Sequence, residues 1–365
     1  MPNKDYLITI ECFSLDLPPC GFKEYVTRLG RGIGQRAREL AERYGVRFRF
    51  LVPIGCKGCF GPDVDYLECR RHDRHSIEKR PDWQSDIYHL PTQYCKFRSM
   101  RRAGVRLLTV HDVNFLYNKK GLSRWLHRYK IARRIAAADR LAYITDFAAA
   151  DTSRCIPNDK PYRVITNGVT DMTKESRTPV EGIEPGYILH ISNLLTNKQP
   201  RLMVDMMSHM PSERLVIAGN LANAPELVKY ASDVKNVRLL GTVSEEEKAW
   251  LYANCSAFIF PSLCEGFGLP PLEAMTMGKP VIMSALTSLP EVGADAAWYF
   301  RSFDPKVMAE DVRDAMAEYA MNPALPDKIR RNALRYNWDD CVDGYIDYYL
   351  DILGIVPDAD ESMAR

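Results

Sequence analysis

Short apolar runs and helix-spaced segments take turns along this chain, and the alternation comes in two series. Residues 6–12 form a first strand ending at Glu11-Cys12. After a loop, Tyr25, Val26, Leu29, Ile33, Ala37, Leu40, Ala41 and Tyr44 recur at helical spacing, with Arg28, Arg31, Arg36, Arg38 and Arg43 on the opposite face. Gly30, Gly32 and Gly34 lie inside that helix, where each costs roughly 1 kcal/mol relative to alanine. Close packing against a neighbour is the reason expected for them. Further strands are expected at Arg47–Val52, Asp86–Leu90, Val105–Val110, Leu141–Ile144 and Tyr162–Thr166. An irregular basic stretch separates the first two of these, and a basic helix runs from about Ser123 to Ala138. Val105–Val110 delivers His111 and Asp112 to its carboxyl end, where open α/β sheets place their ligands.

Residues 170–186 are polar and hold two prolines and two glycines, the composition of a linker. The alternation then restarts. Strands are expected at Tyr187–Ile191, at Arg214–Ala218 (closed by Gly219), at Val237–Leu240 (closed by Gly241) and at Ala257–Phe260. Ser244 followed by three glutamates is a helix N-cap signal, and helices are expected near 305–321, 325–335 and 338–353. Two such series predict the α/β class, with two doubly wound, Rossmann-like domains facing each other across a cleft. The expected limits are 1–178 and 179–337, with a C-terminal helical segment, 338–365, packing back towards the first domain.

The 365-residue length fits two domains better than one core. No apolar run reaches spanning length, and the first residues enter a strand directly without signal-peptide features. A cytoplasmic protein with mostly reduced thiols is therefore expected. Cys56 and Cys59, with Cys69 and His72, have spacings that could hold zinc, but the middle spacing is short for a zinc ribbon, and an exposed turn that happens to carry two thiols is the default reading. The net charge of +2 hides an imbalance. Residues 1–180 hold 33 Lys and Arg against 20 Asp and Glu, or +13; the remaining 16 and 27 give −11. Such a split suggests different partners for the two halves: the basic one suits nucleic acid, an anionic membrane surface or a phosphorylated substrate, or is a dispersed solvated surface.

The densest chemistry lies in Phe260–Ser284, which reads strand, glycine loop, helix, glycine stop, strand. Glu265 and Glu273 bracket the loop. Gly266 and Gly268 let backbone approach a ligand, and Pro270 and Pro271 suit the first turn of a helix. Unpaired N–H groups at that helix start favour an anion. The pattern points to a polar, phosphate-bearing ligand whose hydroxyls meet the two acids. Gly21, between the first strand and its helix, is another place where backbone can meet a ligand.

These residues give the chain a resemblance that covers nearly its whole length. Glu265-Gly-Phe-Gly-Leu-Pro-Pro-Leu-Glu273, Gly278-Lys-Pro-Val281, Ser288-Leu-Pro-Glu291, Pro261-Ser262, Asn167-Gly168-Val169 and Thr109-Val-His111-Asp112 together resemble a GT-B glycosyltransferase of family 4, the retaining group 1 glycosyltransferases. The resemblance implies a retaining transfer of a sugar from a nucleoside-diphosphate sugar to a hydroxyl of a glycan or lipid-linked glycan. It implies Glu265 and His111 at the reacting sugar, and Glu273 on the ribose. Lys198 would hold the diphosphate, and Gly266, Phe267, Gly268, Leu269, Gly21, Asn193, Gly219 and Val243 would line the donor pocket. His89 and Gln93 would lie on the acceptor side. The arginine that usually joins Lys198 is missing, since Asn193 and Asn197 occupy its two candidate places. No cofactor, no tightly bound metal and no nucleic acid is implied; the basic half would meet an anionic acceptor or the inner membrane face. A nucleotide-sugar-binding protein without transferase activity, or another GT-B enzyme such as a hydrolase or epimerase, are the alternatives.

Overall fold

The computed structural model describes residues 5–18, 20–70, 84–95 and 103–356. It divides into two compact units, Met1–Gly168 with Trp338–Arg365, and Val169–Asn337.

The first unit is built on a seven-stranded parallel sheet. Its strands are β1 (Tyr6–Glu11), β2 (Val46–Val52), β3 (Asp65–Glu68), β4 (Ser85–Leu90), β5 (Ala103–Val110), β6 (Arg140–Tyr143) and β7 (Tyr162–Val164), in the order β3-β2-β1-β4-β5-β6-β7. The chain winds outward from β1 to β3, then returns to the other side of β1 at β4. The strand order therefore reverses between β1 and β4, and a doubly wound sheet opens its crevice beyond the carboxyl ends of such a pair. The sequence predicts an irregular stretch where β3 lies. β3 is a four-residue edge strand in register with β2 from Arg49↔Asp65 to Val52↔Glu68, too short and too exposed to leave an alternating pattern.

Helix Gly21–Tyr44 covers one face of this sheet, and its interior glycines are explained by contact. A Cβ on Gly34 would lie 1.9 Å from the Phe60 carbonyl oxygen, one on Gly30 2.5 Å from the Phe60 ring, and one on Gly32 2.4 Å from Val342. Val342 belongs to the last helix, Trp338–Leu353, which buries Tyr345, Tyr348 and Tyr349 in the same core as Ile8, Phe48 and Phe50. Three of its hydroxyls tie it to the sheet, Tyr348 Oη donating to Leu141 O at 3.1 Å. Tyr345 Oη pairs with Thr109 Oγ1 at 2.9 Å and Tyr349 Oη with His89 Nδ1 at 2.6 Å.

The second unit carries a six-stranded parallel sheet. β8 (Tyr187–Ser192), β9 (Leu215–Gly219), β10 (Val237–Leu240), β11 (Cys255–Phe260), β12 (Val281–Met283) and β13 (Trp298–Tyr299) lie in the order β10-β9-β8-β11-β12-β13. Here the order reverses between β8 and β11. The core around Ile188, Ile217, Ile259 and Ile282 is filled by methionines, Met203, Met206, Met207, Met210 and Met308, whose unbranched chains fit irregular gaps.

Candidate active site

In the second unit the loops leaving β8 and β11 meet. Lys198 follows β8 and Glu265 follows β11, so both stand where the strand order reverses. Their side chains form an ion pair, Lys198 Nζ to Glu265 Oε1, with only 12% and 13% of each exposed. The Lys198 ammonium also sits over the Phe260 ring, 5.2 Å from its centre. The two loops are stitched together by backbone. Leu263 N donates to Asn197 O at 2.8 Å, and Asn197 Nδ2 donates to Cys264 O at 3.3 Å. Asn197 thus serves the loop itself. Asn193 is exposed, with its carbonyl accepting from Asn223 Nδ2 at 2.7 Å.

Three residues to which the sequence reading assigned no role hold this arrangement. Thr287 Oγ1 accepts from Glu265 N at 2.9 Å, and Ser288 Oγ donates to Glu265 O at 3.1 Å and Phe267 O at 3.0 Å. His190, fully buried in β8, donates from Nδ1 to Ile259 O at 2.9 Å; its Nε2 then accepts from Ser192 Oγ at 2.8 Å. Ser192 Oγ in turn accepts from Leu194 N at 3.1 Å. Burial, partly opposed by the bond to Ile259, lowers His190 to about 4, so the ring is neutral and this chain of bonds has one direction. Backbone strain gathers at the same place. Leu194, Gln199 and Thr287 have φ of 57°, 55° and 54°, a left-handed conformation costing a non-glycine residue roughly 1 kcal/mol or more.

The glycine signals of the sequence have geometric causes here. Gly219 lies opposite Ser192 in the sheet register, with φ of 153°, and a Cβ would come within 1.9 Å of Ser192 O. Gly268, φ 124°, caps helix Leu269–Thr276, with Pro270 and Pro271 in its first turn. Phe267 is buried edge-on against Tyr336, and Gly266 and Leu269 flank it half-buried. Val243, half-buried, precedes the helix Glu245–Asn254, whose Ser244 and Glu247 form a capping box.

Glu273 is held by that helix. Lys248 Nζ donates to Glu273 Oε1 at 3.1 Å and Tyr252 Oη to Glu273 Oε2 at 2.9 Å. Burial works against the Lys248 charge, but Glu273 and Glu245 outweigh it and hold the ammonium above its usual range. Lys248 and Tyr252 are one turn apart, and no local pattern in the sequence announces their partner.

In the first unit Gln93 follows β4 and His111 follows β5. Gln93 is fully buried and clamps the His111 backbone: its Oε1 accepts from His111 N at 3.0 Å and its Nε2 donates to Asp112 O at 3.0 Å. His111 Nε2 donates to Pro91 O at 2.8 Å, which leaves Nδ1 as the lone-pair nitrogen. Its ring packs edge-on against Phe22 and Tyr25. Burial, partly opposed by the Pro91 bond, lowers His111 to about 4. His89 lies inside the unit, bonded to Tyr349 and, at 2.8 Å, to Thr109 Oγ1; burial and then the neighbouring His111 lower it to about 3. Cys95 donates its thiol to Glu11 Oε2 at 2.7 Å, at the end of β1. Gly21 opens the helix after β1 and is exposed.

Cys56, Cys59 and Cys69 are free thiols, and His72 lies outside the described residues. Among the described residues no three potential ligand side chains are arranged to hold a metal ion, and no helix is long and apolar enough to cross a membrane. A depression of about 300 Å³ lined by Ile183, Arg214 and Lys235 lies at the amino ends of β8, β9 and β10, away from Glu265.

Residues 172–336 match the model of the glycosyl transferases group 1. O-antigen chain mannosyltransferase B of Escherichia coli is 26% identical over 300 residues, which span 76% of this chain and 77% of that protein. The sucrose-phosphate synthase of Thermosynechococcus elongatus, 16% identical, superposes with a TM-score of 0.75 over 96% of this chain and 99% of its own. HepE of Anabaena in complex with UDP and glucose, 12% identical, superposes with 0.73 over 95% and 99%. Residues 172–336 therefore match the group 1 glycosyl transferases, and the two parallel-sheet units have the GT-B fold.

Proposed function

We propose that the protein transfers a mannosyl residue, with retention of configuration, from a nucleoside-diphosphate sugar to a hydroxyl of a growing glycan. The mannosyl assignment rests on the mannosyltransferase relative. The observation that carries the site assignment is the pairing of Lys198 with Glu265 at the switch point of the second unit. Lys198 has three N–H donors. One serves Glu265, and the others would meet the diphosphate, whose negative charge grows as it leaves. Glu265 would hold hydroxyls of the transferred sugar and stabilise positive charge at its anomeric carbon. The anomeric carbon–phosphate oxygen bond breaks, the bond to the acceptor oxygen forms, and the acceptor proton goes to the departing diphosphate. Retention requires front-face attack or a short-lived intermediate.

Glu273 would accept the two ribose hydroxyls. A carboxylate offers about four lone-pair sites, and Lys248 and Tyr252 use two of them. Gly219 and Val243, at the ends of β9 and beyond β10, would line the nucleotide, with backbone from Gly266 to Leu269. Asn193, where the family's arginine is missing, leaves Lys198 as the main cation for the leaving group. In the first unit His111 would meet a sugar or acceptor hydroxyl through Nδ1, positioned by Gln93. The excess of basic residues in the first half suits an acceptor attached to a lipid at an anionic membrane face.

Thermal-shift measurements over a panel of nucleotide sugars test this reading. The chain is expected to be stabilised by a mannosyl donor, and Glu273→Ala to lose most of that stabilisation. Full retention in Glu273→Ala would overturn the ribose assignment. A chain stabilised only by other sugar nucleotides would overturn the mannosyl one.

A further inference from the structure

Helix Gly121–Ala137 in the first unit has two apolar faces. Ile131 and Ile135 are buried in the core with Leu108 and Leu141. Leu122, Trp125, Leu126 and Tyr129 follow the spacing i, i+3, i+4, i+7, which places them on one stripe. At about 100° per residue that stripe lies roughly opposite the two isoleucines. It faces solvent: Leu122 is 71% exposed, Trp125 58%, Tyr129 50% and Leu126 39%. Trp125 and Tyr129 stack flat on each other, 5.7 Å between centres and 7° between planes. Arg133 extends the stripe and sits over the Tyr129 ring at 5.8 Å.

Isolated exposed apolar residues are ordinary, but an ordered aromatic stripe on the outer face of an anchored helix is not. Its charge identifies the occupant. Between Asp112 and Asp139 the chain holds seven lysines and arginines and no acidic residue. Arg124, Arg128, Lys130 and Arg133 are exposed on this helix, beside Lys120 at its start. Aromatic and leucine side chains flanked by cations fit the boundary between headgroups and acyl chains of an anionic bilayer. We propose that residues 120–133 form a docking surface for an anionic phospholipid membrane, with Trp125 and Tyr129 inserted at the headgroup level. The inference deepens the membrane-side acceptor proposed above and names the element that reaches the lipid.

Co-sedimentation of the full chain with vesicles, without donor, tests it. The chain is expected to bind phosphatidylglycerol vesicles and not phosphatidylcholine vesicles, with binding weakened by salt. Trp125→Ser with Tyr129→Ser should lower binding about tenfold or more, and Arg124→Glu with Arg128→Glu by a similar factor. Trp125→Phe should remove a blue shift in tryptophan emission on adding phosphatidylglycerol. Equal binding to both lipids, or unchanged binding by the Trp125/Tyr129 variant, overturns the proposal. So does a lipid-free dimer that this variant dissociates in sedimentation velocity, since a second copy would then cover the stripe. Thermal stabilisation by donor should be the same in the variants and the parent. Its absence from the parent counts against the transferase reading alone, whatever the vesicles show.

Discussion

The carboxyl edges of the two sheets share a topology and differ in chemistry. Beyond β8, β10 and β11 stand charged pairs, Lys198 with Glu265 and Lys248 with Glu273. Beyond β4 and β5 stand Gln93 and a neutral His111, each held by backbone, while the carboxylates nearby, Glu11 at the end of β1 and Asp112 beside His111, accept from the Cys95 thiol and the Asn114 backbone. Among the described residues, the non-glycine residues with positive φ, Leu194, Gln199, Thr287 and Ala294, all belong to the second unit. A charged, strained edge suits a ligand that arrives with charge of its own. A neutral histidine of fixed tautomer suits hydroxyls. The same fold thus supplies two environments through what each strand end carries.

Breaking the charged pair should have the largest effect. Lys198→Ala removes the cation and leaves Glu265 nearly buried without its partner. Transfer is expected to fall about a thousandfold, and stability by about 3 kcal/mol. Steady-state kinetics and thermal melting read the two separately. His111→Gln, which keeps a neutral polar group, should lower transfer only about ten- to a hundredfold. Equal losses from the two variants would erase the contrast drawn between the edges.

The buried histidines should show themselves in acid. Burial lowers His89 to about 3 and His111 to about 4, against an ordinary value of 6.5. Between those limits the unfolded chain binds the protons that the folded chain refuses. Stability is therefore fully present above about pH 6.5 and falls as pH drops below it, by up to about 1.4 kcal/mol per unit for each histidine. His190 adds a like term in the second unit. Denaturant unfolding at several pH values should show a shallower acid loss in His89→Gln; an unchanged slope would mean that His89 is charged when folded.

The smallest effect separates strain from function. Thr287→Gly relieves a left-handed threonine, which should return roughly 1 kcal/mol of stability, and deletes the acceptor for Glu265 N. Melting is expected to change little while transfer falls about tenfold. A variant with parental transfer would show that Thr287 does not position Glu265.

Much of this was legible in the sequence. The segment from Phe260 to Ser284 is read correctly as strand, loop, helix and strand, because its glycines and prolines sit where only they fit well. Gly30, Gly32 and Gly34 were legible as packing sites, though not their partners Phe60 and Val342. The supporting residues were not legible. Lys248 reaches Glu273 across 25 positions, and His190 reaches the Ile259 carbonyl across 69. β3 was hidden because four half-exposed residues carry no period.

The sequence by itself determined the two-series α/β architecture, the charge imbalance, and the glycines, prolines and acids of the motif. Those follow from local backbone preferences and periodicity, which act over a few residues. Only the tertiary structure decided that Lys198 pairs with Glu265, that Glu273 leans on Lys248 and Tyr252, and that Trp125 and Tyr129 face outward while Ile131 and Ile135 face in. Periodicity places residues on a common face, but what that face meets depends on contacts made across the whole fold.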